Sequence, residues 1–110
     1  MFMFKLMTKN SYELNSSIGK IYYVTVTNAK FTYLSNYFLR CLYKLPISMN
    51  KATVFAQAGL NGNMYANIGT IIAESDNTNN TIAMMIPDPH GGFSSGTSIT
   101  IAVNILILSQ

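Results

Sequence analysis

The chain has no tryptophan, one cysteine, one histidine, three prolines and only four acidic side chains among its 110 residues. A lone Cys41 cannot close an intrachain disulfide or build a thiolate metal site, and it leaves the redox compartment open. Glu13, Glu74, Asp76 and Asp88 form no metal-ligand motif, so no metal or cofactor is expected. Charged residues make up 10% of the chain, against about 25% in an average soluble domain. Long hydrophobic runs are also missing. The opening Met1–Met7 stretch gives way at once to polar Thr8-Lys9-Asn10-Ser11, so it is not expected to act as a signal peptide. The longest apolar run, Ile99 to Leu108, is broken by Thr100 and Asn104. It is about half the length that a membrane helix needs, so no membrane insertion is expected.

What remains is apolar and uncharged. Hydrophobic residues account for 49% of the sequence, with seven methionines, seven tyrosines and six phenylalanines. A chain of this length fits one domain spanning 1–110, able to bury a core without covalent staples. The formal charge is +3. The basic residues Lys5, Lys9, Lys20, Lys30, Arg40, Lys44 and Lys51 form no run in the sequence. Nucleic-acid binders gather such residues to neutralise phosphates, so no nucleic-acid partner is expected.

Period-two alternation dominates. Ile99, Ile101, Val103, Ile105 and Ile107 alternate with Thr100, Ala102, Asn104, Leu106 and Leu108. Five β-branched side chains on one face fit a pleated strand and would crowd a helix. The opposite face turns apolar at Leu106 and Leu108, which requires a cover there too. Lys20–Thr27 places Tyr22, Val24 and Val26 on one side, and Thr81–Ile86 does the same with Ile82, Met84 and Ile86. Thr53–Ala58 and Tyr65–Ala73 flank the turn Gly59–Asn63 and predict a hairpin. Glu74–Asn80 and Pro87–Thr97 are polar or glycine-rich connectors.

Two segments are less regular. Phe31, Leu34, Phe38, Leu42 and Leu45 have near-helical spacing between Asn28 and Pro46. Tyr33, Tyr37, Leu39, Cys41, Tyr43 and Leu45 also alternate, and their residue types favour a strand. Strand is preferred, with at most one short helix near residues 30–45. Residues 1–17 are expected to form an N-terminal arm or edge strand. Six to eight short strands with glycine- and asparagine-rich turns predict an all-β chain, an antiparallel β-sandwich or jelly roll.

No catalytic residues emerge. Asp88, His90, Ser94 and Ser95 imitate a hydrolytic triad, but a proline- and glycine-rich loop gives such parts no rigid frame. Glu74, Asp76, Asn77 and Asn79 offer oxygens to a calcium ion without the spacing of a calcium loop. Asn15-Ser16-Ser17 and Asn79-Asn80-Thr81 match a glycosylation pattern that twelve asparagines produce by chance. Tyr22, Tyr23, Tyr33, Tyr37 and Tyr43 are expected chiefly to pack within the sheet, with contact to a ligand or partner as the alternative. Candidate contact positions on the connectors are Asn61, Asn63, Asp76, Asn77, Asn79, Asp88, His90 and Phe93.

A small sandwich normally carries charge on its outward faces and edges. Here Asn, Thr, Ser and Gly replace it, which implies burial against identical copies in a homo-oligomer, a trimer being favoured.

The closing residues Gly92-Phe93-Ser94-Ser95-Gly96-Thr97-Ser98 and the strand Ile99–Leu108 resemble the last strand of bacteriophage tail-fibre, baseplate and receptor-binding domains. The low-charge composition, rich in asparagine, threonine and tyrosine, is similar to that of such appendages. The resemblance covers about 17 residues and transfers no functional residue. It implies a non-enzymatic structural protein located in the virion, bound to other virion proteins. Such a protein would attach to host-surface saccharide or protein through loops at one end. A free-standing carbohydrate-binding, lectin-like module is the alternative.

Overall fold

The computed structural model describes residues 3–8, 11–16, 19–45, 48–60, 63–64 and 71–110, with side chains described in 19–45, 48–59 and 71–110. It contains β1 (Met3–Thr8), β2 (Ser11–Ser16), β3 (Gly19–Ser35), β4 (Phe38–Lys44), β5 (Thr53–Leu60), β6 (Asn63–Met64), β7 (Ile72–Asp76), β8 (Thr81–Pro87) and β9 (Ser98–Ser109). The chain is all-β and sandwich-like, and every strand pair is antiparallel. Among the described residues there is no helix.

The sheet runs β6-β5-β9-β3-β4-β8-β7, with β2 and then β1 branching from β3. The branch exists because β3 is 17 residues long. One edge of β3 pairs with β9 throughout, while the other pairs first with β2 and then with β4. The six strands β5-β9-β3-β4-β8-β7 curl until β7 approaches β5, which makes the sheet nearly barrel-like. Side chains bridge that seam. The Ser75 hydroxyl donates to the Ala52 carbonyl at 3.1 Å, and the Ala52 amide donates to the Asn77 Oδ1 at 3.4 Å.

The inward residues follow the expected alternation. Ile105, Ile107 and Val103 are fully buried on β9, as are Ile82 and Met84 on β8. They form one cluster with Tyr22, Val24, Phe31, Leu39 and Cys41. Each fully buried large side chain contributes about 1.5–3 kcal/mol of transfer free energy before chain entropy is counted.

Residues 30–45 close β3, turn at Asn36-Tyr37 and form β4. Two register shifts set which residues of β3 face inward. Thr27 and Asn28 together oppose Ala102, between the pairs Val26↔Val103 and Ala29↔Ile101. Such a bulge moves the inward set from even positions (Tyr22, Val24, Val26) to odd ones (Ala29, Phe31, Tyr33). A second shift at Leu34 leaves that side chain exposed.

The predicted hairpin of Thr53–Ala58 with Tyr65–Ala73 is corrected where it can be followed. β5 turns back into β6, with Leu60 opposite Asn63, and β7 pairs with β8. Residues 65–70 lie outside the described residues. The connector Glu74–Asn80 is shorter than expected because Glu74 to Asp76 complete β7, leaving residues 77–80 as the turn. Ser11 to Ser16, poorly patterned in sequence, pairs in register with Gly19 to Val24.

Candidate functional site

The three expected contact loops do not converge. Asp76, Asn77 and Asn79 lie at the β7–β8 turn, where β8 begins, whereas Asp88, His90 and Phe93 follow its end. The seven residues of β8 separate the two groups by roughly 20 Å. Asn63 pairs with Leu60 at the end of β5 that lies on the Asp88 side. Asn61 lies outside the described residues.

At the β7–β8 turn, the Asp76 carboxylate accepts from the amides of Thr78 (3.0 Å) and Asn79 (3.2 Å) and from Asn79 Nδ2 (2.8 Å). The Asn79 side chain chiefly holds this carboxyl below its usual pKa of 3.8, and its amide and that of Thr78 add to the effect against a smaller desolvation. Asn80 closes the turn at φ 53°, a left-handed conformation that asparagine tolerates. Its Oδ1 accepts from the Met49 amide at 3.1 Å, while Asn77 serves the seam. These polar groups are committed to the turn and its neighbours.

The second loop is equally self-contained. Asp88 accepts the amides of His90 and Gly92, each at 3.0 Å. The Asp88 amide donates to the Tyr37 carbonyl, and that of Phe93 donates to the Asn36 carbonyl, so the loop is tied to the β3–β4 turn. Phe93 is half-buried against the core, and His90 is exposed. Ser94 Oγ lies 3.2 Å from Thr97 Oγ1. Asp88 is thus a capping group for its own loop. A shallow cleft of about 370 Å³ beside it is lined by Tyr37, Phe38, Ile72, Pro87, Asp88 and Pro89.

The tyrosines divide. Tyr22 is buried, Tyr33 and Tyr43 pack against the core, Tyr23 points outward and Tyr37 is exposed. The Tyr33 hydroxyl donates to Asn36 Oδ1 at 2.6 Å. Cys41 is free and buried; desolvation raises its thiol pKa, against a weaker opposing bond with the Lys30 backbone.

The outer surface carries the features that connector-based reading missed. Directly opposed residues of an antiparallel pair share a face. The register therefore puts Phe55, Leu106 and Tyr23 in one outward row across β5, β9 and β3. Thr53, Leu108 and Ile21 form the next row. Phe55 is 54% exposed, Leu106 36% and Leu108 39%. A depression of about 290 Å³ lies between Tyr23, Phe55, Gln57, Asn104 and Leu106. The pairing continues onto β2, with Tyr12 opposite Tyr23 and Leu14 opposite Ile21. No ionisable group other than Tyr23 stands in these two rows on β5, β9 and β3.

Further along the barrel the outward residues change character. Arg40, Leu42 and Lys44 alternate outward on β4, and Thr32 stands opposite Arg40. Lys30 stands opposite Thr100, and Thr32 opposite Ser98. All these side chains are exposed. Basic residues separated in the sequence thus gather on one face because the β3–β4 turn folds Lys30 back beside β4.

Compared with protein-family models, curated proteins and solved structures, the chain matches none. No described helix is long and apolar enough to cross a membrane. The described residues contain no group of three or more His, Cys, Asp or Glu able to hold a metal ion.

Proposed function

We propose that the protein is a non-enzymatic structural component of a phage or other viral appendage, built as a homo-oligomer and used for attachment to a host surface. The observation that carries this reading is the outward apolar row Phe55–Leu106–Tyr23 with Leu108 beside it. An exposed row of this kind on three adjacent strands marks a protein contact, and the lack of charge there favours burial over solvation. Copies related by symmetry, a trimer being favoured, bury this face against one another and leave the barrel ends and remaining wall free. Several weak contacts on one particle then act together without any deep pocket in a single subunit.

The viral assignment draws on the resemblance of residues 92–108 to terminal strands of tail-fibre and receptor-binding domains and on the low-charge composition. Leu106→Lys tests the assembly step: an ammonium in the centre of a buried apolar contact cannot be solvated. The variant is expected to remain folded and to sediment as a smaller species than the wild type. An unchanged sedimentation coefficient contradicts assembly through this face.

A further inference from the structure

The cationic face offers a partner distinct from the neighbouring copies. Lys30, Arg40 and Lys44 stand on the outer surface of β3 and β4 around Leu42, which is 58% exposed. Arg40 and Lys44 are four residues apart on one strand face, a separation of roughly 13 Å. Thr32 pairs with Arg40, so Lys30, two residues earlier on the same strand face, stands level with Leu42 at the middle of β4. Thr32, Ser98 and Thr100 extend the face with exposed hydroxyl groups. Across β8, the outward positions opposite Arg40, Leu42 and Lys44 are Met85, Ala83 and Thr81, so carboxylates begin only at Glu74 and Asp76 on β7. The described cations on this face make no ion pair with a described carboxylate.

We infer that this β3–β4 face binds an anionic saccharide chain, one bearing carboxylate or sulfate groups. The inference rests on the attachment reading above and names the ligand class for it. Charge complementarity carries it: spaced cations attract a polyanion, Arg40 presents a planar fork that matches carboxylate or sulfate oxygens, and hydroxyls beside it supply directional bonds to sugar oxygens. A single-stranded nucleic acid fits less well because base recognition needs aromatic platforms between the cations. Phe38 stands outward two residues before Arg40, toward Pro87, but the outward positions between Lys30, Arg40 and Lys44 are Leu42 and Thr32, neither aromatic. Exposed cations on an open strand surface hold a polyanion weakly in each copy, so copies acting together raise the affinity and added salt lowers it.

The test measures binding of the full chain to three immobilised probes: a sulfated polysaccharide, neutral dextran and oligo-dT. Light scattering on the same sample gives particle mass. Wild type is expected to bind the sulfated polymer, to ignore dextran and to release with added salt. Lys30→Gln/Arg40→Gln is expected to weaken binding by at least about tenfold, while Lys20→Gln/Lys51→Gln, an equal change in net charge elsewhere, weakens it less than about threefold. Equal losses in the two double variants overturn the inference, since bulk charge alone then accounts for binding. Tighter binding of oligo-dT than of the sulfated polymer, or no binding of the sulfated polymer, also overturns it. Binding that maps to Lys30 and Arg40 in a particle of 12.2 kDa supports this ligand assignment and contradicts the assembly reading. An assembled particle that ignores the sulfated polymer does the reverse.

Discussion

Asp76 stabilises its turn only as a carboxylate. Hydrogen bonds led by the Asn79 side chain lower its folded pKa below the unfolded value near 3.8. The folded state therefore binds fewer protons in that range, and the contribution is present above 3.8 and lost as pH falls through the lower folded value. Asp76→Ala should lower the thermal midpoint at pH 6, and the gap from wild type should narrow below the ordinary carboxylate range. A gap independent of pH would contradict the proposed role of the charged form. The buried Cys41 makes a second residue-scale prediction. Desolvation holds its thiol in the protonated, unreactive form at neutral pH. Thiol reagents should modify it slowly in the native protein and rapidly in denaturant, as followed by mass spectrometry; equal rates would contradict its burial. Gly91 is constrained twice, by φ 68° and by a Tyr37 ring whose Cε1 would lie 3.0 Å from an added Cβ. Gly91→Ala should destabilise the fold by about 1–2 kcal/mol in denaturant titrations.

At the scale of elements, β3 carries an extra residue. Deleting Asn28 leaves Thr27 alone opposite Ala102, so the strand becomes regular and Ala29, Phe31 and Tyr33 keep their inward side. Phe31 is fully buried, so the deletion should retain the cooperative unfolding transition seen by circular dichroism, whereas deleting Lys30, beyond the bulge, should abolish it by turning the Phe31 side chain outward. The opposite pair of results would contradict the register. The same bulge explains what could and could not be read from residue order. β9 was legible because Ile99 to Ile107 keep one inward parity along the strand. β8 was legible for the same reason. In residues 30–45, the apparent helical stripe mixes buried Phe31 and Leu45 with exposed Leu34 and Leu42. Parity changes at each register shift, so no single period describes the segment. The turns of the candidate loops were readable from Gly, Asn and Pro, but their separation to opposite ends was not, since it depends on which strands pair. Likewise, Lys30 meets β4 only after the Asn36-Tyr37 turn is made. The commitment of Asp76 and Asp88 to their own loop amides is also a product of local geometry, which composition does not specify.

For the whole molecule, the wall of the barrel is divided in character. β5, β9 and the first half of β3 present Phe55, Leu106, Leu108 and Tyr23 outward, while β4 and the later half of β3 present Lys30, Arg40 and Lys44. In the proposed assembly the first surface would lose water at a neighbour's contact, and the second would keep its charges solvated or paired with an anion. Such a division would let one small domain both assemble and attach. The most direct test is the absolute mass of the purified chain, measured by size-exclusion chromatography with light scattering at micromolar concentration. The account predicts a particle of two or more copies of the 12.2 kDa chain, with three copies favoured. A particle of 12.2 kDa would contradict it.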